Sequence, residues 1–260
     1  VEKRDAGRVF GEVAELYERV RPPYPVELFD DVLTYSRVSG GRRRALDVGA
    51  GTGRATIGFA ARGVPVVAVE PDDAMADILA RRAAQFQSVE IVRSSFEEFR
   101  SSERFGLLFC AEAWHWTARE TRWSLAADAL ADGATLALFW NNERIEEPDL
   151  RTSMLRVYEE HAPAVVVRDE QVTADDVWQQ WPGIDLAECA AFTDLESRHY
   201  RSHQNMPKAD YLGLTRTRSH FRTQPTQTRH TMFAALVELF DDEIPLVIDT
   251  TLLLARRVPS

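Results

Sequence analysis

The sequence predicts an α/β fold: a doubly wound, mostly parallel sheet with helices on both faces. Two observations carry this. Strand-length apolar runs alternate with segments of helical periodicity from Ala45 to Trp140, and the first such run breaks into a glycine-rich turn that leads into a helix. A chain of 260 residues, with 45% hydrophobic and 28% charged residues, is long enough to bury a sizeable core and fits one large domain, or one domain carrying a cap.

The elements follow in order. Phe10, Val13, Ala14, Tyr17 and Val20 stand at helical spacing, and after Arg21-Pro22-Pro23-Tyr24-Pro25 a second helix repeats the pattern with Leu28, Phe29, Val32 and Leu33. Gly40-Gly41 closes this lead-in. Ala45–Val48 is then a short apolar strand, Thr52–Ala61 a helix closed by Gly63, and Val66–Val69 a second strand, which together make a βαβ unit. A helix capped by Asp72 places Met75, Ile78 and Leu79 inward, and the strands Val89–Val92 and Phe105–Ala111 follow. Trp123, Ala126 and Leu130 mark a helix before Gly133, and Ala134–Trp140 is a fifth strand.

Beyond Asn142 the rhythm changes. Pro148 opens an amphipathic helix that Pro163 ends, a polar stretch bears Trp178 and Trp181, and an extended segment runs around Phe192–Tyr200. Helical stretches around Tyr211–Arg218 and Thr228–Phe240 precede a last strand, Leu246–Leu254. The organisation expected is N-terminal cap helices over residues 1–40, a ligand-binding core over 41–145, a cap insertion with remaining sheet elements over 146–241, and the last strand within 242–260.

The formal net charge of −10 opposes a nucleic-acid partner. Cys110 and Cys189 lie in apolar strand-like surroundings without metal-ligand spacing, so neither a disulfide framework nor a metal site is expected. The opening residues lack the apolar run of a secretory signal, and the longest late apolar stretch, Ile244 to Ala255, is interrupted by Pro245 and Asp249. No membrane association and a cytoplasmic location are therefore expected.

The chemistry concentrates where Ala45-Leu46-Asp47-Val48 runs into Gly49-Ala50-Gly51-Thr52-Gly53 and a helix, which brings bare backbone and a helix N-terminus to a ligand. Glu70 ends the next strand, where a carboxylate can accept hydrogen bonds from both hydroxyls of a ribose. A dinucleotide-binding turn would need its third glycine where Arg54 stands, and a pyrophosphate would be repelled by Asp47. An acidic strand end suits instead the methionyl ammonium of S-adenosylmethionine (SAM).

Leu46-Asp47-Val48-Gly49-Ala50-Gly51-Thr52-Gly53 and Val67-Ala68-Val69-Glu70-Pro71 resemble the first two motifs of class I SAM-dependent methyltransferases, which have a Rossmann-like core. Ser94-Ser95-Phe96-Glu97 resembles their adenine-clasping loop, and Ala111-Glu112-Ala113-Trp114-His115-Trp116 resembles the segment after the fourth strand in small-molecule enzymes similar to trans-aconitate methyltransferase. Gly106 stands where the family has an acidic residue.

This resemblance implies an antiparallel last strand and a site in which Asp47, Gly49, Gly51, Gly53, Glu70, Pro71, Met75, Ser95, Phe96 and Ala111 hold SAM, with S-adenosylhomocysteine as product. Met75 has ordinary helix packing as its other reading. His115 is either a general base or an orienter of the two indoles beside it. Tyr17, Tyr24, Trp114 and Trp116 are candidates for the acceptor site, and Arg216 and Arg218, in a basic stretch of an acidic chain, for holding an anionic small-molecule acceptor such as a carboxylate. A SAM-binding protein without transfer activity is the alternative, and a nicotinamide-dependent oxidoreductase stands behind it.

Overall fold

The computed structural model describes residues 8–36, 44–163, 165 and 176–259. Seven strands form one sheet in the order β3-β2-β1-β4-β5-β7-β6: β1 (Ala45–Val48), β2 (Val66–Val69), β3 (Val89–Val92), β4 (Phe105–Ala111), β5 (Leu130–Ile145), β6 (Phe192–Pro207) and β7 (Glu243–Arg257). The pairs β2–β3, β1–β2, β1–β4 and β4–β5 are parallel, with Ala45 opposite both Val66 and Leu107.

β7 runs the other way. The Glu146 N–H donates to the Pro245 carbonyl (2.9 Å) and Thr250 pairs with Asn141, so residue numbers rise on one strand as they fall on the other. The Val258 N–H to Ala191 and the Thr251–His199 pair show the same opposition between β7 and β6.

Alternation along these strands builds the core. Leu46, Val48, Val67, Val69, Leu108 and Cys110 enter one apolar cluster; Ala45, Val66, Ala68, Leu107 and Phe109 enter another on the opposite face. Strands buried on both sides need helices on both sides. α2 (Val26–Ser36), α3 (Arg54–Ala60) and α4 (Asp73–Ala83) supply Phe29, Phe59 and Leu79 to the second cluster, and α5 (Arg122–Ala129) supplies Ala126 and Ala127 to the first.

The chain divides into two compact units. One comprises Val1–Pro22, Asn142–Gln171 and Arg201–Asp249; the other comprises Pro23–Asn141, Val172–Tyr200 and Thr250–Ser260. The first contains α1 (Ala14–Val20), α6 (Pro148–His161), α8 (Lys208–Thr217), α9 (Ser219–Arg222) and α10 (Thr226–Leu239) around a core of Val20, Met154, Tyr158, Tyr211, Leu236 and Ile244. The second contains α2 to α5, the short α7 (Gly183–Ala187) and all of β1 to β4. β5, β6 and β7 carry residues of both units.

Several boundaries differ from expectation, two of them for local reasons. The helix after the glycine turn begins at Arg54 because Gly53, at φ +84°, is left-handed and cannot belong to it. The fifth strand begins at Leu130, not Ala134. Leu130 leaves α5 already extended and pairs with Phe105, and the register slips before Leu107 meets Thr135. Gly133, at φ +71°, lies within the slipped segment, which is how a strand passes through a turn-forming residue.

Among the described residues, no helix is long and apolar enough to cross a membrane.

Candidate functional site

The glycine turn is fastened to β2 before any side chain acts, since the Val69 carbonyl accepts the N–H groups of both Gly49 and Ala50 at 3.0 Å. Gly49 has φ +70°, and a Cβ there would lie 2.4 Å from the Cβ of Ala113, just beyond β4; a Cβ on Gly53 would lie 2.3 Å from Leu79. These two glycines allow close approach by β4 and α4. Gly51 differs, because a Cβ there would meet nothing within 4 Å. The middle of the turn faces open space.

Two carboxylates lie behind that space. Glu70 accepts the Gly51 N–H on one oxygen (2.7 Å) and the Asp72 N–H on the other (2.8 Å), tying the turn to the start of α4. Asp72 in turn caps α4 by accepting from the Ala74 and Met75 N–H groups. Asp47 is fully buried; one of its oxygens accepts from the Thr56 hydroxyl (2.5 Å) and the other, Oδ1, has no partner.

Both acids are pushed up to about 7. Burial is the main cause for each. The Thr56 bond lowers Asp47 while the charge of Glu70 raises it further; the bonds from Asp72 and Gly51 hold Glu70 down in part. A cation brought here would relieve both, and an anion would not.

The remaining residues expected to hold SAM sit at the same ends of the strands. Pro71 joins Glu70 to the capped start of α4, and Ala111, half-buried, is the last residue of β4. Met75 is buried with its N–H on the Asp72 cap. Phe96 is buried against Trp114, with ring centroids 6.2 Å apart. Ser95 is tied locally, donating to Glu98. Glu97 accepts the Ala118 N–H, which joins the loop after β3 to the turn after β4.

The Trp114-His115-Trp116 segment forms a short 3₁₀ turn that sends its rings in different directions. Trp114, expected at the acceptor, is 4% exposed and lies between Phe96 and Trp123, in the core cluster on the α5 face of the sheet. His115 is exposed, 4.6 Å from the Trp116 ring and edge-on to Trp181. Tyr24 is half-buried, edge-on to Phe139.

Tyr17, Arg216 and Arg218 belong to the first unit, and there each has a local role. The Arg21 guanidinium lies over the Tyr17 ring, and exposed Arg216 lies over Phe233 at 4.0 Å. Arg218 pairs with half-buried Glu143 at 3.3 Å. Burial works against its charge, but Tyr211, Glu143 and Tyr158 outweigh it and hold the guanidinium above its ordinary value.

Several residues at the site were not singled out in the sequence. Thr56 lies on α3, where only folding shows that it meets Asp47. Glu112 has φ +59°, unusual for a side chain of its size, and accepts the Asn141 N–H at 3.1 Å. Arg122 is the buried first residue of α5, with its guanidinium over Trp181.

Residues 45–133 match the methyltransferase domain model, a span that holds the glycine turn, Asp47, Glu70 and the Trp-His-Trp turn. Uncharacterized methyltransferases of Mycobacterium bovis and Mycobacterium tuberculosis are 31% identical over 227 residues, covering 87% of this chain and 83% of theirs. This chain belongs to the class I SAM-dependent methyltransferases.

The fold of this methyltransferase is shared more widely than its sequence. A protein of Anaeromyxobacter dehalogenans described as a type II methyltransferase superposes with a TM-score of 0.62 at 23% identity, over 92% of this chain and 99% of that one. The [4+2]-cyclase SpnF superposes at 0.57 with 13% identity, over 100% and 98%. The sheet therefore serves more than one chemistry, and membership rests on the sequence relatives and the matched domain.

The residues of the methyltransferase fit a SAM ligand on two structural grounds: the open space over Gly51, and the unpartnered Oδ1 of buried Asp47. Among the described residues, no cluster of histidine, cysteine or acidic side chains could hold a metal ion.

Proposed function

We propose that this methyltransferase transfers the methyl group of SAM to a small acceptor bearing a carboxylate or hydroxyl, releases S-adenosylhomocysteine, and acts in the cytoplasm without nucleic-acid or membrane partners. The observation that carries the cofactor part is the buried acid pair behind the open middle of the glycine turn, with Asp47 Oδ1 lacking a partner.

In this reading Asp47 meets the methionyl ammonium, and Glu70, whose oxygens already hold the turn in shape, presents its remaining lone pairs to the ribose hydroxyls. Pro71 and Met75 flank the adenosine, Ser95 and Phe96 hold the adenine, and Ala111 and the backbone of Gly49, Gly51 and Gly53 approach the methionyl end. When bound, SAM supplies a methyl group on a sulfonium, a leaving group that needs no acid. The protein's task is then alignment and exclusion of water. His115 takes a proton where the acceptor is a hydroxyl, and Trp116 and Tyr24 wall the acceptor.

Calorimetric titration with SAM, S-adenosylhomocysteine and NAD tests the cofactor reading, repeated with Glu70→Gln. Micromolar binding of the two adenosyl ligands, weakened by the substitution, is expected; preference for NAD would overturn it. Consumption of SAM with a mixture of small acids and phenols separates a working transferase from a protein that only binds SAM.

A further inference from the structure

Arg122 is the only basic residue among the described residues buried to this degree, at 3% exposure. Other arginines reach carboxylates: Arg218 has Glu143, Arg198 has Asp31, Arg201 and Arg144 share Asp249, and Arg256 has Asp194. Arg122 has none within ion-pair distance among the described residues. Its Nη2 donates to the Thr117 carbonyl at 2.8 Å, its Nε is buried without a partner, and its Cζ lies 5.4 Å from the centroid of the Trp181 ring.

A guanidinium offers five N–H donors in a planar fork, and a charge removed from water without a counter-ion is costly. One carbonyl and one indole face answer that only in part. Burial pulls Arg122 below its ordinary value and the charge of Arg119 adds to this, while the carboxylates of Asp185, Glu120 and Glu97, none of them within ion-pair distance, oppose it. The surroundings grade from an open rim inward: His115 is exposed, Trp116 and Trp181 are half-buried, and Arg122 is buried. The His115 ring centroid lies 4.6 Å from that of Trp116 and 6.5 Å from that of Trp181. All of these residues belong to the same unit as the glycine turn, and the segment follows directly from β4.

We propose that Arg122 is the anion-binding residue of the acceptor site, and that the acceptor is a small carboxylic acid with an aromatic or apolar body, its carboxylate on the free edge of the guanidinium and its body against Trp181, His115 and Trp116. This rests on the methyl-transfer reading for the acceptor's identity, but binding can be measured without turnover. Arg122 takes the role that the basic stretch around Arg216 and Arg218 suggested in the sequence. The fork matches a carboxylate through two parallel hydrogen bonds, and the aromatic rim favours an apolar body over a bare inorganic anion.

The test uses the intact protein saturated with S-adenosylhomocysteine and labelled with ¹⁵N-arginine, titrated with benzoate and phenylacetate, and with benzamide as the uncharged control. The Arg122 Nε–H resonance is expected to move saturably with the two acids and not with the amide. In calorimetry, Arg122→Gln should weaken both acids by roughly tenfold or more, Arg122→Lys should fall between, and S-adenosylhomocysteine affinity should be unchanged. An unmoved Nε–H resonance, benzamide binding as well as benzoate, or Arg122→Gln binding the acids with wild-type affinity would each overturn the proposal. If Arg122→Gln does not fold, the resonance in the unaltered protein decides. Loss of S-adenosylhomocysteine binding by the unaltered protein would count against the cofactor reading instead.

Discussion

Replacing Asp47 by Asn should make the protein more stable and less able to bind its cofactor. Asp47 is fully buried, with one oxygen on Thr56 and the other unpartnered, and it titrates near 7 instead of 3.8. At about 1.4 kcal/mol for each pH unit, keeping it ionised at neutral pH costs on the order of 4 kcal/mol, an upper bound for the gain on substitution. The sign follows from linkage: the folded state keeps this proton to higher pH than the unfolded chain does. The contribution of Asp47 is therefore harmless below about pH 4, turns increasingly unfavourable as pH rises towards 7, and is constant above that. Asn carries no such charge and can still accept from Thr56.

Urea denaturation of both proteins across this range should show the variant more stable at pH 8, with the gap closing as pH falls to 4. Its SAM affinity at pH 8 should drop tenfold or more, the loss of one buried charge partner of the ammonium. Equal stability at pH 8, or a gap that does not change with pH, would refute the idea that the site holds an ionic strain relieved by a cationic ligand.

Gly49→Ala should destabilise by about 3 kcal/mol, from a left-handed φ and a Cβ 2.4 Å from Ala113, whereas Gly51→Ala, with nothing within 4 Å, should cost about 1 kcal/mol yet still impair SAM binding; denaturant midpoints and calorimetry separate the two. Thr56→Val removes the hydroxyl on Asp47, so it should lower stability at pH 8 by about 1–3 kcal/mol and have little effect near pH 4, read from the same melts. Asp72→Ala, which uncaps α4, should cost about 1 kcal/mol, and a thermal melt showing no change would exclude its capping role.

Much of the fold was legible in the sequence because parallel strands buried on both faces are written as short apolar runs, and β1, β2 and β4 match those runs end to end, as does the half-buried edge strand β3. The glycine turn and Glu70 were legible for a similar reason: backbone geometry and a strand-end carboxylate are local needs, met by residues in fixed spacing. β5, β6 and β7 were read too short, since their outer stretches are polar and held by neighbouring strands instead of by their own pattern.

The individual strands, the turn and the family are legible in the chain alone, since each depends on residues close together in it. Which charged groups are answered was settled by packing in three dimensions. It gave Arg218 to Glu143 in one unit and left Arg122 over Trp181 in the other. It buried Trp114 against Phe96 and Trp123 while leaving its neighbour His115 exposed. It also brought Thr56 to Asp47 and stranded the second oxygen. Burial and pairing are properties of the packed chain, set by which side chains meet from distant positions, and residue type at a single position does not encode them.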